Sequence, residues 1–361
     1  MNRTYIIAEA GVNHNGSLDR AMELIDAAKS AGADAVKFQT FKALQIAAPY
    51  AMKAHYQRHQ TGGDESQLSM LRALELTEEM HDRLIAYSME KGIDFLSTPF
   101  DLSSVNLLVH KYNLPRLKSS SGEITNAPLL LAMASSQKPI ILSTGMCLLG
   151  DIEAALGVIA YGYLNWAASG ISPSTKAFQE AYRSDEGQLL LQERVTLLHC
   201  TTEYPSPVGE VHLRMMNTLA SAFHLQVGYS DHTLGITVPI AAVARGAAVI
   251  EKHLTLDRSL PGPDHAGSLE PEEFSAMTKA IREVEAALGS NVKRPSAAEI
   301  VNVEAVRKSV VAAKPILTGE PFTSENLTVK RAGTGISAMR YFDLIGKTAT
   351  RDYEPDERIE G

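Results

Sequence analysis

The sequence predicts a (β/α)8 TIM barrel followed by a small β-rich domain. Three observations carry this. Short apolar runs alternate strictly with amphipathic helical patterns, which implies a parallel sheet. Eight such units occupy residues 5–290, a length that suits a closed barrel better than an open sheet. Each apolar run stops on residues able to bind or react, and a barrel gathers all eight strand ends on one face.

The units run as follows. Residues 5–8 are the first strand, ending at Glu9, and 11–16 are a turn. Ser17 and Asp19 open a helix over 18–30 that Gly32 closes. Residues 35–39 are the second strand. The polar loop 42–68, with Gly62-Gly63, is too long for an ordinary strand-to-helix connection and lies on the strand-end side, where it helps to cover a site. Thr77 caps a helix over 78–91, and the strand 94–96 ends in Ser97-Thr98-Pro99. Asp101 caps the next helix, and 116–118 lead into Ser119-Ser120-Ser121-Gly122-Glu123. A helix near 128–136 precedes the strand 139–142, which ends in Ser143-Thr144-Gly145. A helix over 151–161 is followed by a stretch, 162–193, that holds Trp166 and shows no clear period, so it reads as an irregular insertion. The strand 195–198 ends in His199-Cys200-Thr201-Thr202-Glu203-Tyr204, and a helix near 211–223 follows. The strand 225–229 ends in Ser230-Asp231-His232-Thr233, and the strand 248–250 in Glu251-Lys252-His253. A last long helix starts at Glu270 or Pro271 and ends at Gly289.

Residues 1–290 are therefore the barrel and 291–302, polar and with Pro295, a linker. Residues 303–361 are a small domain of short β runs and turns, with a Gly-rich loop around Arg331. Such a domain is marginal alone and expected to dock.

Composition excludes several classes. The 361 residues are 45% hydrophobic and 21% charged, as in an ordinary soluble domain. A net charge of −8 without a basic run argues against nucleic acid. No apolar stretch is long enough to span a bilayer, and the first residues lack a signal-peptide layout, so a cytoplasmic location is expected. Cys147 and Cys200 make no disulfide framework and read as small buried thiols.

The chemistry is read from the strand ends. Lys37 and Lys118 are two ammonium groups beside the hydroxyls of Ser121, Ser143 and Thr144 and the N–H groups of Gly122 and Gly145. Such loops cradle oxyanions, and the pair suits a phosphate plus a carboxylate. The alternative is that each Lys pairs with Glu9 or Glu123. His232 and His253 come from adjacent strands at equivalent height and could share one metal ion, with Asp231 and Asp264 as outer partners. The alternative is a hydrogen-bonded structural pair. His14, His199 and His265 could also reach the mouth, but each alone reads as structure. Glu9 is a general base, a hydroxyl acceptor or a partner of Lys37.

Nine motifs stand in one order: Ile7-Ala8-Glu9-Ala10-Gly11-Val12-Asn13-His14-Asn15-Gly16, Val36-Lys37-Phe38-Gln39-Thr40, Ser97-Thr98-Pro99-Phe100, Ser121-Gly122-Glu123, Ser143-Thr144-Gly145-Met146, His199-Cys200-Thr201, Tyr229-Ser230-Asp231-His232-Thr233, Glu251-Lys252-His253 and Gly262-Pro263-Asp264-His265. In these the chain resembles the sialic acid (nonulosonate) synthases over nearly its whole length. Its C-terminal part resembles their antifreeze-like (SAF) domain. It departs from them at Thr202, where Asn is frequent, at Ala332-Gly333, where many have Pro, and in a longer stretch at 162–193.

The resemblance implies condensation of phosphoenolpyruvate with an open-chain N-acetylated mannosamine-type sugar and water, giving a nine-carbon 2-keto acid and phosphate. It implies that His232 and His253 hold Mn²⁺ or Mg²⁺. Lys37, Thr98, Lys118, Ser121, Ser143 and Ser230 would hold phosphoenolpyruvate. Glu9, Gln39, Tyr204 and Asp264 would hold the sugar. Arg331 would reach its N-acetyl group from the partner subunit of a domain-swapped homodimer. The stretches Asp64-Glu65-Ser66-Gln67-Leu68, Glu123-Ile124-Thr125-Asn126, Thr201-Thr202-Glu203-Tyr204-Pro205 and Gly335-Ile336-Ser337-Ala338-Met339-Arg340-Tyr341 are most similar to the N,N'-diacetyllegionaminate synthase branch. N-acetylneuraminate synthase, pseudaminate synthase, another phosphoenolpyruvate-dependent 3-deoxy-sugar-acid synthase and a non-catalytic carbohydrate-binding barrel remain alternatives.

Overall fold

The computed structural model describes residues 3–54, 57, 58, 60 and 66–360. The Gly62-Gly63 pair and the Asp64-Glu65 part of the branch motif lie outside the described residues. The chain divides into two compact units, Met1–Gly289 and Ser290–Gly361.

The first unit is built on eight parallel strands: β1 (Tyr5–Gly11), β2 (Ala35–Thr40), β3 (Asp94–Pro99), β4 (Leu117–Ser119), β5 (Ile140–Ser143), β6 (Val195–Cys200), β7 (Gln226–Asp231) and β8 (Val249–His253). They pair in the order β3-β2-β1-β8-β7-β6-β5-β4. The first strand thus pairs with the last, Glu9 standing opposite His253, which is the closure of a (β/α)8 barrel. The seam between β3 and β4 carries no ladder among the described residues.

The interior packs Ile7, Ala35, Leu96, Ile141, Leu198 and Val249 into a plug. The outer faces of the strands pack on helices through Ile6, Ala8, Val36, Phe38, Leu197 and Tyr229. Several strands run further than their apolar runs. β7 continues to Asp231 and β8 to His253, because ladder pairing of Ser230 with Glu251 and Asp231 with Lys252 satisfies their backbone groups. The reactive residues there are strand residues, and strand alternation decides which way each points.

Residues 162–193 are not irregular. The helix Leu149–Tyr163 runs on, and two more follow, Thr175–Arg183 and Asp185–Arg194, capped by Ser174 and Ser184. Their buried face is carried largely by Ala177, Ala181 and Gly187, with Leu191, residues too small to mark a hydrophobic period. The expected linker also folds in part. Ser296 and Glu299 form a capping box that starts the helix Ala297–Val306.

In the second unit β9 (Ser309–Ala312) and β10 (Leu327–Lys330) pair antiparallel. They close over their own core of Val310, Ile316, Phe322, Leu327, Leu344, Tyr353 and Ile359. Arg331 follows β10 and is exposed. No helix among the described residues is long and apolar enough to cross a membrane.

Candidate active site

A cavity of about 520 Å³ opens at the carboxyl ends of the strands. Glu9, Lys37, Gln39, Thr98, Lys118, Ser121, Ser143, Tyr204, Ser230, His232, His253 and Asp264, all singled out in the sequence, line it. Arg331 belongs to the second unit.

Its floor is a chain of buried charges. Lys37 Nζ lies 2.5 Å from Glu9 and 3.7 Å from Glu251, and donates to Thr98 Oγ1 at 3.2 Å. Lys118 Nζ lies 3.4 Å from Glu251 and donates to Ser143 Oγ at 2.8 Å. Ser230 Oγ donates to Glu251 Oε1 at 2.9 Å. Glu251 is therefore the carboxylate both lysines share, a role the sequence reading assigned to no residue. Among the described residues no ion pair joins Glu123 to a lysine; Asn126 donates to it at 2.7 Å.

The environments separate the two acids. Burial dominates at Glu9 and pushes it up to about 7 against the pull of Lys37. At Glu251 burial is outweighed by Lys118 and Lys37, which hold it down at about 2. Burial also pushes Asp264 up to about 6. It lowers Lys118, with Glu251 opposing. At Lys37 burial is overcome by Glu251 and Glu9, and the pKa rises.

Two glycines make room for this. Gly11 follows a bulge in β1 and has φ +52°. A Cβ there would lie 3.3 Å from Glu9, 3.5 Å from Asp264 and 3.5 Å from Gln39, so the three polar groups converge only over a glycine. Gly145 donates its N–H to Ser121 Oγ at 2.9 Å. A Cβ at Gly145 would strike Thr202 Oγ1 and come within 2.8 Å of Ser121 Oγ.

His232 and His253 meet across β7 and β8 with ring centroids 5.6 Å apart. The Tyr204 ring lies tilted against His232, with centroids 4.1 Å apart. His232 Nδ1 is 2.6 Å from the Thr201 carbonyl, which makes it the donor and leaves Nε2 with its lone pair. His253 Nδ1 is buried without a hydrogen-bond partner among the described residues, and Asp264 is 4.0 Å away. Burial lowers His232 to about 4 and, helped by His232, takes His253 well below the usual imidazole range. Two neutral imidazoles with an orphaned nitrogen fit a divalent cation. No cluster of three or more His, Cys, Asp or Glu groups able to hold a metal is present among the described residues. Water and substrate oxygens would complete such a shell, as in an open catalytic site.

Asp231 is not an outer partner of this pair. By strand alternation it faces away, paired with Lys252 at 2.6 Å where neither side chain is exposed. The other three histidines singled out in the sequence do not line the cavity. His199 Nε2 is 2.6 Å from the Val211 carbonyl. His265 is held by Thr255 and Asn15, and His14 packs on Phe38.

A second cavity, about 870 Å³, opens beside Tyr5, Thr196 and Gln226 at the strand starts. Two of its arginines are already paired, Arg3 with Asp34 and Arg282 with Asp34 and Glu285. Of the buried polar atoms without a hydrogen-bond partner among the described residues, Glu9 Oε2, Ser120 Oγ, Thr202 Oγ1, Glu251 Oε2 and His253 Nδ1 belong to residues of the mouth, while Asn13 Oδ1, His14 Nε2, Gln60 Oε1, Ser88 Oγ and Ser119 Oγ lie elsewhere. Five such atoms on residues of one cavity suit a ligand that completes them.

Fold and mouth together define a barrel enzyme for an anionic substrate. The chain belongs to the NeuB family, which it matches over residues 24–293, and residues 307–360 match the SAF domain. It is 49% identical over 359 residues to the N,N'-diacetyllegionaminic acid synthase of Campylobacter jejuni, with 99% of each chain covered. It is 44% identical over 342 residues to that of Legionella pneumophila, covering 95% of this chain and 89% of that one. Among solved structures, the N-acetylneuraminic acid (sialic acid) synthetase from Leptospira borgpetersenii superposes with a TM-score of 0.66 at 31% identity, covering 84% of this chain and 91% of that one.

Proposed function

We propose that the protein is a cytoplasmic, phosphoenolpyruvate-dependent nonulosonate synthase and, within that class, an N,N'-diacetyllegionaminate synthase. The observation that carries the reaction class is the convergence of Lys37, Lys118, Thr98, Ser143 and Ser230 with the neutral His232–His253 pair on one cavity. The likeness along almost the full chain to two diacetyllegionaminic acid synthases supports the choice of sugar.

In this reading the two ammonium groups and the hydroxyls of Thr98, Ser121, Ser143 and Ser230 hold the phosphate and carboxylate of phosphoenolpyruvate. Glu251 keeps both lysines charged and in place between turnovers. The sugar enters as the open-chain aldehyde, its hydroxyls taken by Glu9, Gln39, Tyr204 and Asp264. His232 and His253 would hold a divalent metal, Mn²⁺ or Mg²⁺, which when bound would supply Lewis acidity to the carbonyl addition. C3 of phosphoenolpyruvate forms the new bond to the aldehyde carbon, and the aldehyde oxygen ends as a hydroxyl. Water adds at C2, and the tetrahedral intermediate expels phosphate to leave the 2-keto acid. Glu9, poised near neutrality by burial, can hold or release a proton beside the reacting atoms. The SAF unit supplies Arg331 to the partner's sugar in a domain-swapped homodimer.

The test is phosphate release from phosphoenolpyruvate by the full chain with Mn²⁺, using N-acetylmannosamine and 2,4-diacetamido-2,4,6-trideoxymannose side by side, with an EDTA control. Higher kcat/KM with the trideoxy sugar, abolished by EDTA, is expected. A preference for N-acetylmannosamine would make the protein an N-acetylneuraminate synthase, and release only with arabinose 5-phosphate would remove it from the class.

A further inference from the structure

The inward positions of β2 and β3 change character towards the mouth. On β2 they read Lys37, Gln39 and then Phe41; on β3, Thr98 and then Phe100. All five line the cavity. The strand pairing carries on past the last strand residues, since Phe100 N–H donates to the Thr40 carbonyl at 3.1 Å. Two residues of strand rise about 7 Å. The polar floor therefore gives way to an aromatic tier about one sugar chain above it.

The Phe41 and Phe100 rings meet edge to face with centroids 6.2 Å apart. Ile46, from the short helix Ala43–Ile46, and Leu71, from the helix Gln67–Leu74, extend the same surface. Behind it Val12, Met70 and Leu74 are buried, so the surface is backed by a packed core and holds its shape. None of these four side chains can donate to or accept from a hydroxyl. At the edge of the surface the Gln67 amide lines the cavity and makes no hydrogen bond among the described residues.

We propose that Phe41, Ile46, Leu71 and Phe100 form the subsite for the distal end of the sugar, and that Gln67 reads the acetamido group at C4. The proposal rests on the reaction assigned above, which fixes the sugar's orientation. Its aldehyde must reach the floor, so C4 to C6 lie at the aromatic tier. A 6-deoxy methyl group and the methyl of a 4-acetamido group bury against this surface. The C6 hydroxyl of N-acetylmannosamine would lose water there and gain no partner, and its C4 hydroxyl would leave the apolar surface uncovered where an acetamido methyl packs. Gln67 offers an N–H to the acetamido carbonyl and a carbonyl to its N–H. An apolar subsite discriminates modestly by group, about tenfold to a hundredfold, so N-acetylmannosamine remains a slow substrate.

Three sugars separate the two positions: N-acetylmannosamine, 2-acetamido-2,6-dideoxymannose and 2,4-diacetamido-2,4,6-trideoxymannose. In the wild-type protein kcat/KM rises at each step. Leu71→Asn shifts the ratio between the trideoxy sugar and N-acetylmannosamine about tenfold toward the latter. Gln67→Ala lowers the second step and leaves the first, and the KM for phosphoenolpyruvate stays where it was in both variants. Equal losses on all three sugars, or ratios that do not move while the wild type turns over, would overturn the subsite alone. Wild-type silence with all three sugars would instead overturn the reaction class, and the subsite with it.

Discussion

At the ends of β7 and β8, Ser230, His232, Glu251 and His253 face the cavity, while Asp231 and Lys252, set between them in sequence, face away from it. Both sets are buried, yet they are satisfied differently. Asp231 accepts from Tyr229 Oη at 2.9 Å and from the Thr233 N–H and hydroxyl at 3.1 and 2.9 Å, and it pairs with Lys252. Lys252 also donates to the Thr233 carbonyl. On the cavity side Lys37 and Lys118 share Glu251 at 3.7 and 3.4 Å, and His253 Nδ1 has no hydrogen-bond partner among the described residues. The outward set is closed and serves the fold. The inward set leaves Glu251 Oε2 and His253 Nδ1 without a hydrogen bond among the described residues, the pattern expected of groups that meet a ligand.

The largest effect tests the closed side. Asp231→Ala strands the Lys252 ammonium with no counter-charge, and breaking a buried pair in this way costs about 3–5 kcal/mol of stability. Urea denaturation should show the midpoint falling with little change in slope. Replacing both partners, Asp231→Ala with Lys252→Met, should recover much of the loss, because the uncompensated charge is gone. A single variant as stable as the wild type would break the distinction between the two faces.

The cavity side predicts the opposite pattern. His253→Ala removes an imidazole whose Nδ1 is unpartnered, so the denaturation midpoint should hold or rise slightly. Turnover should fall by about a hundredfold or more, since Lewis-acid stabilisation is worth several kcal/mol. Titration calorimetry with Mn²⁺ should show binding lost together with turnover. A variant that keeps its Mn²⁺ affinity would remove His253 from the metal site.

How much of this was legible in the sequence depends on where each signal is stored. The barrel was legible, because strict strand–helix alternation is a local pattern repeated along the chain. Lys37, Lys118, His232 and His253 were legible as polar residues stopping apolar runs. Glu251 and Asp231 were not sorted, because reading β7 as ending at Tyr229 and β8 at Ile250 left the residues beyond without strand alternation. Extending both strands puts Glu251 on the face of His253, two residues on, and Asp231 on the opposite face from Ser230 and His232. The helices Thr175–Arg183 and Asp185–Arg194 were hidden by a buried face made largely of alanine and glycine. The aromatic tier was hidden because Phe41, Leu71 and Phe100 are distant in the chain, and only the fold brings them to one surface.

Arg331 is a third kind of charge, exposed and held in the second unit, and its substitution should have the smallest effect. An exposed cation adds little to stability, so Arg331→Ala should leave the denaturation midpoint unchanged. A charged hydrogen bond to the sugar's N-acetyl group is worth about 1.5–3 kcal/mol, so the KM for the sugar should rise about tenfold or more while that for phosphoenolpyruvate stays. Mixing decides whether the contact crosses between subunits. Arg331→Ala has an intact barrel, and Lys37→Ala has an intact Arg331. If the arginine serves the partner's cavity, refolding the two together restores low-KM turnover that neither variant has alone. If it serves its own cavity, the mixture behaves as the sum of the two, and the swapped dimer loses its functional meaning.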